Sequence, residues 1–375
     1  MMWLLLFVLT ALVVLLPMVP ALVEWHWPSD VTPLFIDKDD ALDPAYLARS
    51  FALSLATALA LRQTHLGRSP ITSLQPCKLW PFDARESAAA TSHRVWDLHG
   101  DADLPAGMAL LGEVAARGSL RAAPGGLYRA LWVRNTLHLP AGCTILRWAH
   151  GTQIDVGPDC DLAGRTSADE LITVAHGTRF VLLHAPVLRF APSRLKRASE
   201  AFAATTVPAT GPGLPEAVVW HAASARGRCE TALAIENGST WSGDLVCAAD
   251  LTLGPGCHVH GSLKAHGTLT LGAGCSVHGS VVSRGVITLE AGCMVRGSVV
   301  SETAVLLGEA CVIGFQGLVS TVAAPHVEVA AGVVAHGTVW ASQSGLCSAV
   351  DSAQPAAPAA APRAHASAPQ QEATA

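Results

Sequence analysis

The chain has 375 residues, 50% hydrophobic and only 14% charged, with a net charge of −5 and a pI near 6.3. That balance leaves no cationic footprint for nucleic acid. Aromatic residues make up 5% while glycine numbers 33, which favours narrow aliphatic layers with small-residue corners over one broad core.

Residues 1–23 carry no charged side chain and are almost wholly apolar. At about 1.5 Å per residue they reach the ~30 Å of a bilayer core, and Trp25 and Trp27 follow at headgroup depth. The expectation is a single-pass anchor in a bacterial inner membrane. A cleaved signal peptide is the rival, with Val19-Pro20-Ala21 as a poor cleavage site and no basic n-region. No Lys or Arg precedes the span, so charge does not orient it.

Residues 24–93 form a juxtamembrane region without repeats. Asp43-Pro44 reads as N-cap and first helical residue, and Leu47, Phe51, Leu55 and Leu59 then recur every four residues. A helix near 43–63 is expected, either capping the first coil of a solenoid or receiving a partner protein. Residues 64–93, with Pro70, Pro76 and Pro81, read as loop.

Beyond residue 94 the chain repeats. Leu251 and Leu253, Leu269 and Leu271, Ile287 and Leu289, and Val305 and Leu307 stand eighteen residues apart, each pair followed by a tight turn. Cys257, Cys275, Cys293 and Cys311 follow in one slot, then His260-Gly261-Ser262, His278-Gly279-Ser280 and Arg296-Gly297-Ser298 in another. Weaker copies run back through Ile172, Ile154 and Leu137 to Leu120, and the last, Val327 to Val329, is delayed by an insert at 321–325. A fixed period of this size means stacked coils, because one coil cannot bury its own apolar face. The fold class expected is all-β: a β-helix solenoid of about ten coils with a period of roughly 18 residues. To it are added the N-terminal transmembrane helix and the short juxtamembrane helix. The solenoid has a first part over 94–190, an insertion over 191–229 and a second part over 230–342. A short basic helix over 193–205 is expected in the insertion, and 343–375 is an Ala/Pro tail expected to be disordered.

Stacking puts equivalent residues in columns about 4.8 Å apart. The cysteines then form a buried thiol column. None of the ten makes a CxxC pair, so neither a zinc ribbon nor a thioredoxin-like site is indicated. A buried thiol serves as a small hydrophobe at a corner, so structural thiols are expected over a disulfide or a metal site, with no cofactor. Reduced thiols would suit the cytoplasm. A histidine column could in principle bind metal, but its third member is Arg296, a poor ligand, and no carboxylate recurs beside it. No GxSxG, HExxH or Walker sequence is present.

The run from Cys275 through His278-Gly279-Ser280-Val281, Ile287-Thr288-Leu289 and Arg296-Gly297-Ser298 to Ser301 resembles the bactofilins, polymer-forming bacterial cytoskeletal proteins. The resemblance covers 251–319 most specifically and 120–190 more weakly. It implies a right-handed three-sided β-helix that assembles end to end into nucleotide-free filaments on the inner face of the membrane. The residues point to assembly independently. A solenoid end exposes backbone edges, and the C-terminal coil, with Val333, Val334, Val339 and Trp340, has no evident capping helix. Pairing of that coil with a second copy is therefore expected. Two alternatives stand beside this reading: a hexapeptide-repeat enzyme of the acyltransferase or γ-carbonic anhydrase kind, and a tethered scaffold that recruits a protein partner without polymerising.

Overall fold

In the structure, a computed structural model, residues 1–26, 43–74, 91–107, 109–192, 215 and 217–348 are described. The chain divides into two compact units, Met1–Asp43 and Pro44–Ala375.

The first unit corrects the expected anchor. Helix α1 (Met2–Leu15) stops after 14 residues, a 3₁₀ turn occupies Leu16–Met18, and α2 (Val19–His26) adds 8 more. Pro17 has no N–H to continue the ladder, so the apolar run is divided instead of forming one rod. At 1.5 Å per residue α1 measures about 21 Å against the ~30 Å required. Among the described residues no helix is long and apolar enough to cross a membrane. The single-pass inner-membrane assignment therefore falls.

The second unit is a β-solenoid of about 13 turns. Its C-terminal half shows why the period is strict. Leu251–Leu253, Leu269–Leu271 and Ile287–Leu289 pair in parallel, residue for residue at the eighteen-residue spacing, and Ile287–Leu289 pairs with Ala304–Leu307 in the same way. Call this face one. His258–His260, Ser276–Val277 and Met294–Val295 form face two. Asp244–Cys247, Leu263–Ala265, Val281–Ser283 and Val299–Ser301 form face three. On face one, Leu251, Leu253, Leu269, Leu271, Ile287, Leu289, Val305 and Leu307 all point inward and are buried. Alternate side chains face solvent, as strand geometry demands. Each buried Leu or Ile contributes about 1.5–3 kcal/mol of transfer free energy.

The solenoid begins earlier than its period suggests. Residues 64–93 are not simply loop: His65–Leu66 and Ser69–Leu74 form a hairpin, and the latter pairs in parallel with Val95–Leu98 through residues 71–74. Pro70 lies outside that parallel ladder, where its missing N–H costs nothing. Part of the presumed insertion also belongs to the solenoid. Val219–His221 pairs antiparallel with Arg226–Cys229, which pairs in turn with Asp244–Cys247. The extra residues near the last coils sit before Ser320–Val329 in sequence, at 314–319, not at 321–325. The strand Val334–Cys347 also runs past residue 343, where the tail was expected to start. The expected helix at 193–205 and the tail from 349 lie outside the described residues.

Helix α3 (Tyr46–Ala60) forms where the four-residue spacing places it, but it starts at Tyr46 after Ala45, with no side-chain cap, and not at Asp43-Pro44 as expected. Val95–Leu98, Ala109–Ala116, Leu127–Val133 and residues 148–150 build one side in parallel, which is face three of the first half. The helix lies along the outside of that side, with Ala48 against Ala130 and Trp148, and Leu55 against Val95 and Ala115. It thus covers a side of the rod and not the end of the first coil.

The C-terminal coil is where the largest correction falls. Arg179–Phe190, the last strand of the first half, pairs antiparallel with Val334–Cys347, the last strand of the second. Leu183 faces Val339, Leu182 faces Trp340, His184 faces Thr338 and Arg189 faces Val334. Backbone bonds from Gly177 N–H to Cys347 O (2.8 Å) and from Phe190 N–H to Val333 O (2.9 Å) extend the joint around the coil. The two half-solenoids therefore meet C-terminal end to C-terminal end within one chain. Val333, Val334 and Val339 are buried in that joint, and Trp340 points outward. The supposed open end is already occupied, because the first half supplies the strand that a second copy was expected to bring.

Candidate functional site

The columns that suggested chemistry are built as follows. Cys257 donates its S–H to Glu236 O at 3.1 Å, Cys275 to Gly254 O at 3.1 Å, Cys293 to Gly272 O at 3.2 Å and Cys311 to Glu290 O at 3.1 Å. Each acceptor is a corner carbonyl of the preceding coil. In the first half Cys143 and Cys160 do the same at 3.2 Å, to Ala123 O and Pro140 O. Thr178 then takes the slot and donates its hydroxyl to Gly157 O at 3.1 Å. A threonine can serve because the slot needs a small donor, not sulfur chemistry. The nine described cysteines are free and buried. The Cys275 S–H donating toward the Cys293 sulfur, and then burial, push the Cys275 thiol up, and burial alone pushes Cys347 up to about 12. Thiols held protonated in this way are poor nucleophiles.

The imidazoles of His260 and His278 stack with centroids 4.2 Å apart, and the Arg296 guanidinium lies 4.5 Å from the Phe315 ring centroid. Burial and then neighbouring positive charge lower both histidines: His258 acts on His260, and His260, Arg296 and His258 act on His278. The folded chain thus binds fewer protons here than the unfolded chain does around pH 6.5. Stability should be level above about pH 7 and should fall as acid titrates the unfolded histidines first. Melting curves from about pH 7.5 to 5 should show that fall, and His278→Gln should flatten it. An unchanged profile in the variant would count against the column as its source. Among the described residues no three His, Cys, Asp or Glu side chains come together in a way that could hold a metal ion.

Two further polar groups have no linear motif. His150 Nδ1 shares a hydrogen bond with Ser167 Oγ at 2.9 Å, and its Nε2 lies 3.7 Å from Asp169 Oδ2. Asp169 is also 3.6 Å from Arg49 of α3. The order serine, histidine, aspartate is that of a hydrolytic relay. Ser167, however, is 2% exposed, and the same pairing recurs across the joint, where His184 Nδ1 meets Thr338 Oγ1 at 2.9 Å. His150, Ser167, His184 and Thr338 occupy one register column, so the arrangement is a ladder of stacked polar side chains. The second group centres on Asp97, 1% exposed, which accepts two bonds from Arg117 at 3.0 and 3.1 Å and lies 3.0 Å from His99 Nε2. That buried carboxylate is paired and fastens the first coils together. Only coil-by-coil alignment of the first half, where the spacing varies from 16 to 18, would have exposed either group in the sequence.

Fold and columns together define a β-solenoid protein whose polar columns fasten coil to coil. No family model, no curated protein and no solved structure matches the chain.

Proposed function

We propose that this chain is a non-enzymatic β-helical scaffold. It is bactofilin-like in the pattern of its coils, and the end-to-end joint expected between molecules is made inside one. The antiparallel pairing of Arg179–Phe190 with Val334–Cys347 carries this reading. The outer ends support it. Each has a short antiparallel strand over face three, His65–Leu66 at one end and Val219–His221 at the other. Each also has a buried indole near its last coil, Trp96 and Trp241. Edge strands of only two or three residues are a device against further strand pairing. The rod then works through its sides, by holding a partner protein.

The test is the assembly state of the full chain in a mild non-ionic detergent, by sedimentation and electron microscopy. Discrete rods with a solenoid about 60 Å long are expected from ~13 turns at ~4.8 Å. Filaments that lengthen with protein concentration would overturn it.

A further inference from the structure

We infer that the outer side of face three in the second half is a docking groove for an amphipathic helix of a partner protein, laid end to end with α3. The inference deepens the scaffold reading and rests on it. The register traces one outward column through the middle of the rod and across the joint. From Trp148 it passes to Arg165, then Leu182, across the joint to Trp340, then to Ala323, Val300, Val282 and finally Lys264. In the first half this side is occupied: Phe51 of α3 packs on Trp148 with ring centroids 5.5 Å apart, and Ala48 and Leu55 fill the neighbouring positions. Past Arg165 the side is apolar again through Leu182, Trp340, Ala323, Val300 and Val282, with no described helix on it. Trp340 is 48% exposed there.

The surface therefore continues an interface whose geometry is already known. Five consecutive positions at ~4.8 Å span about 19 Å, the length of roughly 13 helical residues. The groove ends at the exposed cations Arg165 and Lys264. One edge is polar, formed by Ser280, Ser298 and Thr321, successive members of a stack whose backbone N–H groups bond to the preceding hydroxyl at 3.2 to 3.3 Å. A helix with an alanine, leucine and aromatic stripe and an acidic residue toward each end complements that surface.

The probe is a fluorophore-labelled synthetic peptide of residues 44–62, the α3 sequence, extended by one glutamate at each end. It is titrated into the full chain, into Trp340→Glu and Val300→Glu, and into Trp148→Ala. Saturable binding with Kd below about 100 µM is expected, weakened at least about tenfold by each glutamate and unchanged by Trp148→Ala. Circular dichroism confirms that the two glutamate variants, altered at outward positions, stay folded. No binding, or binding insensitive to both glutamates, overturns the groove. Binding lost in Trp148→Ala alone means that the peptide replaces α3 in its own seat, which also overturns it. Filament formation, the result that would sink the scaffold reading, is a separate measurement.

Discussion

Val339→Asp is expected to cost the solenoid about 3–5 kcal/mol and to split its unfolding into two steps. Coils in a solenoid touch only their neighbours, so cooperativity passes from coil to coil. Here it must also pass through the pairing of Leu183 with Val339 at the centre of the joint. Both side chains are fully buried there, and a carboxylate in place of Val339 finds no partner of opposite charge among the column neighbours Leu183 and Val322. The strands at the joint should part first, leaving each half to unfold on its own outer coils. Urea titration followed by tryptophan emission reports on both sides, since Trp96, Trp132 and Trp148 lie in the first half and Trp241 and Trp340 in the second. Trp340→Glu, one residue on and pointing outward, is the control and should shift the midpoint little. A single transition in Val339→Asp at the wild-type midpoint would mean that the joint does not couple the halves.

How much of this molecule is legible in the sequence depends on how strictly its coils repeat. Where the pairing is residue for residue at eighteen, as from Leu251 to Leu307, the columns follow from numbering alone. The first coil on face one is hidden because the position eighteen before Leu120 is Ala102, too small to stand out as a core residue. The joint leaves no periodic trace at all. Its partners are more than a hundred residues apart, and an antiparallel contact between two last strands breaks the very period that reveals the rest. The broken N-terminal helix has a simpler cause. In a lipid-spanning run Pro17 reads as at most a tolerated kink, whereas in the backbone it removes a donor and ends α1. Thr178 is likewise invisible as a member of the cysteine column to any search for a repeated thiol, because the slot needs only a small donor.

Gly297→Ala should destabilise the chain by about 3 kcal/mol, more than Gly274→Ala at about 1 kcal/mol. Backbone conformation alone suggests the opposite order. Gly274 sits at a φ of +70°, in the left-handed region where a side chain is strained, but a Cβ built on it meets nothing within 4 Å. Its cost is confined to conformation. Gly297 has no left-handed φ, yet its Cβ would lie 2.6 Å from Ser280 Oγ and 2.7 Å from the carbonyl carbon and oxygen of Gly279. Those backbone atoms belong to the coil below and are fixed by their own ladder, so relief requires the coils to separate. The same crowding recurs one coil down, where a Cβ on Gly279 would lie 2.6 Å from the carbonyl of Gly261. The glycine in each Gly-Ser corner is therefore imposed by stacking distance, and the glycine in each preceding turn by chain direction. Denaturation midpoints of the two single variants separate these causes: equal losses, or a larger loss at Gly274, would show that the corner has room to relax.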